Sequence, residues 1–158
     1  MIEYRTGDVL SAPERPLLIA HVVNDEGRWG AGFSGQVGRR WPDAERSYKS
    51  WAAGSLGAPI FGLGCTAVYE VERGSVWVAH LCAQRGVGRD RKRLEESALE
   101  RCLIQLRLTV SGCLPDAILV MPRIGCGLAG GDWSVVEPLV RTALEGRRAV
   151  IYTGVENG

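Results

Sequence analysis

The chain has 158 residues, 46% of them hydrophobic and 23% charged, and a formal net charge of +1. That length suits one domain able to bury roughly two-thirds of the surface its unfolded form exposes, and the near-zero charge excludes a global attraction to nucleic acid or anionic lipid. Five cysteines (Cys65, Cys82, Cys102, Cys113 and Cys126), odd in number and without short repeated spacing, speak against a disulfide framework and a zinc site, and with no signal-type start or membrane-length apolar run they point to a reducing, cytoplasmic setting.

Residues 2–6 (IEYRT) alternate and end at Gly7-Asp8, which predicts a short strand running into a loop. Residues 17–23 (LLIAHVV) are almost continuously apolar and too short for a helix, the pattern of a strand buried on both faces. The glycine-rich stretch NDEGRWGAGFSGQ follows, with a helix predicted from about Ser34 to Trp41. A second helix is predicted to start at Pro42, which suits a first turn, and to stop near Gly54. Residues 65–71 and 75–83 are β-branched and aromatic runs joined by ERG, the spacing of a hairpin. Over 90–110 the apolar side chains Leu94, Ala98, Leu99, Cys102, Leu103 and Leu106 form a helical stripe. A buried strand at 117–121, a helix at 134–145 and a last strand at 148–153 complete the chain. Alternating strands and helices predict a mostly parallel or mixed sheet flanked by helices, in one domain spanning residues 1–158.

Two glycine-rich segments, one after the second strand and one at MPRIGCGLAGGDW (121–133), each follow a strand and precede a helix. In open α/β sheets ligands bind beyond the carboxyl ends of the strands, and bare backbone N–H groups at a helix start form an anion site. Two such loops suit a ligand with two charged groups or one pyrophosphate held from both sides. The alternative is tight turns and close helix packing. Neither loop has the Lys-Ser/Thr pair of a Walker motif or the dinucleotide-binding spacing.

Taken together and in order, GDVL after the first strand, AHVVNDEGRWGAGFSGQV after the second, VAHLCAQRGVG and MPRIGCGLAGGDW resemble the macrodomain family, the ADP-ribose-binding fold, from Ile2 to about Thr153. The likeness is strongest to the subgroup of the terminal ADP-ribose protein glycohydrolase and the amplified-in-liver-cancer remodeller macrodomain, with the bacterial DNA ADP-ribosyl glycohydrolase antitoxin related. It implies a three-layer α/β/α fold around a central mixed, mostly parallel sheet.

The resemblance also implies site residues. Asp8 matches the position that holds the adenine amino group, with Val9 offering a backbone N–H; the plain reading of Asp8 is a turn or cap. Asn24 matches an asparagine that binds the distal ribose hydroxyls, and Gly30, Ala31, Gly32, Phe33 and Ser34 would wrap that ribose and the pyrophosphate. His21 reads either as a hydrogen-bonded structural histidine or as part of the site, and Trp29 as packing or site. Gly125, Cys126, Gly127, Leu128 and Ala129 correspond to the second pyrophosphate loop, and Tyr152 either stacks on adenine or belongs to the core.

The pattern departs where the protein glycohydrolase has its lysine and aspartate: Gln84 and Ala129 stand there, so a lysine-adduct mechanism does not carry over. Asp132 nearby suits a helix cap. Catalysis would then rest on a water oriented by the substrate's own phosphate together with Asn24 or Gln84, and on Arg85 neutralising the leaving group; Arg85 also reads as a solvated loop residue. The RDRKR cluster at 89–93 reads as a solvated helix face or as a contact for a nucleic-acid or poly(ADP-ribose) backbone. The expected function is an ADP-ribosyl hydrolase cleaving at ribose C1″ on a modified protein carboxylate or DNA base. The alternatives are a reader without chemistry and an ADP-ribose 1″-phosphate phosphatase. No cofactor, metal or membrane is expected, and the partners are ADP-ribose and ADP-ribosylated protein or DNA, met by a monomer.

Overall fold

A computed structural model describes residues 1–154. The last four residues of the expected domain, 155–158, lie outside the described residues. In chain order the elements are β1 (Ile2–Thr6), β2 (Leu17–Asn24), α1 (Gly32–Arg40), α2 (Pro42–Ala52), β3 (Thr66–Glu72), β4 (Val76–Gln84), α3 (Glu96–Cys113), β5 (Ile118–Met121), α4 (Trp133–Ala143) and β6 (Ala149–Thr153). The six strands form one sheet in the order β1-β6-β5-β2-β4-β3. Every pairing is parallel except β3 with β4, the expected hairpin. No described helix is long and apolar enough to cross a membrane.

Helices cover both faces, which explains why the inner strands read as unbroken apolar runs. On one face α3 and α4 deliver Leu99, Leu103, Leu106, Val136 and Val140 onto Leu18, Ala20, Leu119 and Ile151. On the other, Phe33 and Val37 of α1 and Ala44 of α2 meet Leu17, Ile19, Val120 and Val150. Alternate residues of the same strands thus feed opposite cores, as period-two side-chain geometry requires. Proline at the start of α2 is followed by Asp43 and Glu45 in the first turn and Lys49 in the last, each charge set favourably against the helix dipole.

The helix expected over 90–110 begins later, at Glu96. Residues 93–95 are held extended between two elements. Arg85 N donates to Arg93 O, Glu95 N donates to Ala83 O, and both Arg93 N and Leu94 N donate to Ala129 O. The backbone groups that would have started the helix are committed to β4 and to the second glycine loop. The basic cluster therefore lies on a clip beside that loop, not on a helix face.

Two features of the sheet place the site. Neighbouring strands β2 and β5 send their connections to opposite faces, β2 to α1 and β5 to α4, which opens a crevice at their carboxyl ends. Along β2 and β4 the pairing runs in step from Leu17 opposite Val76 to Val23 opposite Cys82, then slips so that Asn24 faces Gln84. Such a bulge re-aims the side chains that follow it.

Candidate functional site

The crevice is a cavity of about 250 Å³ walled by the segments after β2, β4 and β5. Its lining includes His21, Asn24, Gly30, Ala31, Phe33, Ser34, Gln84, Gly125, Gly127, Leu128 and Ala129, all residues singled out in the sequence. Trp29 also lines it, with its ring centroid 5.5 Å from that of His21 and 5.6 Å from that of Tyr48, so it both packs and faces the cavity.

The second glycine loop divides its glycines between two tasks. Gly125 has φ +74°, and a Cβ there would lie 2.8 Å from Leu94 Cδ1. A Cβ on Gly131 would sit 2.6 Å from the Gly125 carbonyl oxygen. These two allow close packing and a left-handed turn. Between them, Cys126 N, Gly130 N and Gly131 N are spent on Arg123 O, Gly127 O and Gly125 O. Among the described residues the N–H groups of Gly127, Leu128 and Ala129 have no internal acceptor, and all three residues line the cavity. Across from them α1 starts at Gly32 without a side-chain cap, leaving its first-turn N–H groups and the positive end of its dipole at the same opening.

Charge reinforces this. Arg28, Arg89 and Arg123 line the cavity and no carboxylate does. Arg28 has a distant partner in Glu26 at 3.7 Å, whereas no ion pair among the described residues engages Arg89 or Arg123. Backbone donors, a helix start and three guanidinium groups make a receptor for a multiply charged anion. An Arg123→Ala variant is expected to bind such an anion, with pyrophosphate as the probe, about 10-fold more weakly, as for loss of a hydrogen bond to a charged group, measured by calorimetry.

Asn24 is buried at the end of β2 and organises the loop after it. Its Oδ1 accepts from Glu26 N at 3.0 Å and Arg28 N at 3.2 Å, and its Nδ2 donates to Arg28 O at 2.6 Å. The Tyr48 hydroxyl lies 2.7 Å from Asn24 O and 2.9 Å from Asn24 Oδ1, sharing one proton between them. The carboxamide oxygen is thus occupied, which leaves Asn24 one N–H for a ligand. Gln84 Nε2 donates to Gly86 O at 2.9 Å, so its amide oxygen is the part left for the cavity.

His21 and its strand partner His80 are buried to 1% and 0% exposure. His21 Nδ1 is 2.8 Å from Ser34 Oγ and its Nε2 2.6 Å from His80 Nδ1. His80 Nε2 is 2.9 Å from Ser47 Oγ. Burial lowers the His21 pKa to about 3. Burial, with the neighbouring imidazole second, takes His80 well below its ordinary value. Both rings are neutral at physiological pH.

Six of the expected residues do not line the cavity. Arg85, the first residue past β4, turns away from the cavity, and its guanidinium pairs with Glu95 at 3.1 Å with 64% of the side chain exposed. The expected Gln84–Arg85 pair facing one ligand is therefore not formed. Asp8 caps a short 3-10 turn at Val9–Ser11, accepting from Leu10 N at 2.9 Å, and Val9 is fully buried. Tyr152 is a core residue whose hydroxyl accepts from Arg5 Nη1 at 2.7 Å while the same guanidinium lies 5.3 Å from its ring centroid. Gly32 has φ +63° and supplies the turn into α1. Cys126 is half-buried with its thiol pushed up to about 11, by burial first and then by Asp132, which rules out a thiolate nucleophile at neutral pH. Asp132 caps α4 by accepting from Ser134 N at 2.9 Å. Replacing Arg85 with Ala is expected to leave the pyrophosphate affinity within twofold, again by calorimetry.

The sequence reading passed over His80, Arg28 and Arg123, and took Arg89 only as part of the RDRKR cluster. A histidine inside the apolar run VAHLCA, opposite another in AHVV, was the available signal for the first. Among the described residues no group of three or more His, Cys, Asp or Glu side chains is placed to hold a metal ion.

No family model matches the chain. It is similar to a macrodomain protein from Streptomyces coelicolor, at 36% identity and a TM-score of 0.80 over 97% of this chain and 99% of that one. The macrodomain of Mycobacterium tuberculosis DarG is 25% identical with a TM-score of 0.79, covering 96% of this chain and 97% of its own. The ADP-ribose 1″-phosphate phosphatase of Candida glabrata is 23% identical over 89% of this chain and 91% of its own.

Proposed function

Since the chain belongs to the macrodomain family, we propose that it binds ADP-ribose in the crevice and removes it from a modified target by hydrolysis at ribose C1″. The observation that carries this reading is the pairing of two open backbone loops with three arginines and no acid. The diphosphate lies between the N–H groups of Gly127–Ala129 and the start of α1, where each oxygen meets a donor and the helix dipole favours the charge. The distal ribose then reaches Asn24 Nδ2 and Gln84. Lacking a carboxylate, the site leaves positioning as the main source of rate: the amide oxygen of Gln84 and a ligand phosphate oxygen hold a water against C1″. ADP-ribosylated protein or DNA is the proposed substrate, in keeping with the resemblance in sequence to the subgroup of the terminal ADP-ribose protein glycohydrolase and the amplified-in-liver-cancer remodeller macrodomain, to which the DNA-acting antitoxin is related.

A second reading, phosphate release from ADP-ribose 1″-phosphate, draws on the Candida glabrata relative. One experiment separates them. Purified protein is given ADP-ribosylated glutamate peptide, ADP-ribosylated DNA and ADP-ribose 1″-phosphate, and free ADP-ribose and phosphate are measured. Release of ADP-ribose from peptide or DNA supports the first reading. Release of phosphate alone supports the second. Binding without either product identifies a reader, and no heat on titration with ADP-ribose defeats all three.

A further inference from the structure

The cleft is joined to α2 by an unbroken line of four side chains. Ser34, at the cavity wall, contacts His21 at 2.8 Å; His21 contacts His80 at 2.6 Å; His80 contacts Ser47 of α2 at 2.9 Å. The two rings sit in an aromatic cage, with the centroids of Trp29, Tyr48, Trp51 and Tyr69 between 5.8 and 6.4 Å from that of His80. No carboxylate among the described residues bonds either ring. Each ring spends both nitrogens on the line.

The bonds give the line a direction. A neutral imidazole has one donor and one acceptor nitrogen, so fixing one end fixes all of them. Ser47 donates its proton to Ala44 O at 2.9 Å, so it accepts from His80 Nε2. His80 Nδ1 is then the acceptor of the His21 Nε2 proton, and His21 Nδ1 the acceptor of the Ser34 hydroxyl proton. Ser34 turns its lone pairs to the cleft. Its other contact, to Val22 O, is long at 3.4 Å. Ser47 is only partly buried, which gives the outer end access to water.

We propose that Ser34 is a catalytic residue that takes the proton of the attacking water, and that His21, His80 and Ser47 are positioning residues that carry a proton between it and solvent. This rests on the hydrolase reading above. As the water oxygen bonds to C1″, its proton passes to Ser34 Oγ, the Ser34 proton to His21 Nδ1, the His21 Nε2 proton to His80 Nδ1, the His80 Nε2 proton to Ser47 Oγ, and the Ser47 proton to bulk water. The bond from C1″ to the acceptor atom breaks with its electron pair leaving on that atom. Running the line backwards, a solvent proton enters at Ser47 and Ser34 returns a proton to the departing atom or to a cleft water, which restores both tautomers. No group in the line ends a turnover charged.

The relay is tested without disturbing the cleft by Ser47→Ala, which removes only the outer end and favours the helix. With 15N-labelled histidine, wild-type protein is expected to show Nε2 protonated and Nδ1 bare in both rings. Ser47→Ala is expected to change the tautomer balance of His21, two links away, and to lower kcat at least 10-fold with the ADP-ribose Kd within twofold; Ser47→Thr restores both. Ser34→Ala is expected to lower kcat about 100-fold, the lower end for loss of a general base. An unchanged His21 tautomer in Ser47→Ala, or wild-type kcat in that variant, overturns the relay. Wild-type protein that binds ADP-ribose but releases none from any target overturns the hydrolase reading and Ser34's role with it, and in that case a shifted tautomer would show that the hydrogen-bond line exists without catalytic use.

Discussion

Asn24→Ala is expected to lose about 3 kcal/mol of stability and to bind ADP-ribose at least about 100-fold more weakly, the sum of several part-buried groups left unpaired. Beyond Asp25, whose N–H donates to Gln84 O and whose carboxylate accepts from Gly86 N, the loop after β2 is held by this carboxamide. Two backbone donors, Glu26 N and Arg28 N, and the carbonyl of Arg28 lose their partner together, while Tyr48 keeps its bond to Asn24 O. Arg28 and Trp29 would then drift from the cavity wall, and Gly30–Ser34 with them. The two effects are read separately: urea unfolding for stability, calorimetry at low temperature for affinity. A variant that keeps its fold and wild-type affinity would show that the loop is held by something other than Asn24.

The second large effect is acid lability. His21 titrates at about 3 in the folded protein and His80 also well below its ordinary value, both chiefly through burial. The unfolded chain binds those protons near pH 6.5. Below that pH the unfolded state holds more protons than the folded one, so stability falls as pH falls, by about 1.4 kcal/mol per pH unit for each ring. Their contribution is fully present above pH 6.5. Between pH 7.5 and pH 5 His21 alone is expected to cost about 2 kcal/mol, and His80 acts in the same direction. The paired carboxylates Glu3, Glu14, Asp90, Glu96 and Asp132 all have lowered pKa values, so their losses fall mainly at lower pH. Urea midpoints measured at pH 7.5 and 5 in wild type isolate the histidine window. A flat profile there would mean that the two rings take up protons in the folded state as readily as in the unfolded chain, against the neutral line drawn for them.

The layered sheet was legible because burial on two faces leaves a plain mark: LLIAHVV and AILVM are apolar without alternation, and only a strand between two helix layers can use them. The glycine loops were legible too, since a left-handed turn at Gly125 and a close backbone approach at Gly131 both require a missing side chain. What sequence could not give was direction. Gln84 and Arg85 are neighbours in the chain, yet the bulge opposite Asn24 sends one to the cleft and the other to Glu95. The start of α3 was misread because helical spacing at Leu94 belongs to a clip whose amides bind Ala129 O. His80 escaped notice since its partner lies 59 positions away, and only the β2–β4 register brings them together. Asp8 bonds within its own turn and Tyr152 bonds Arg5 across the β1–β6 pairing, and a family motif reveals neither.

The central claim is that main-chain amides on two facing loops hold a diphosphate. It is tested most directly by following backbone 15N–1H resonances while ADP-ribose, and separately adenosine, is added. The amides of Gly127, Leu128, Ala129 and the first turn of α1 are expected to shift strongly downfield with ADP-ribose and hardly at all with adenosine. If ADP-ribose binds and those amides stay still while others move, the anion is held elsewhere and the account of the cleft is wrong.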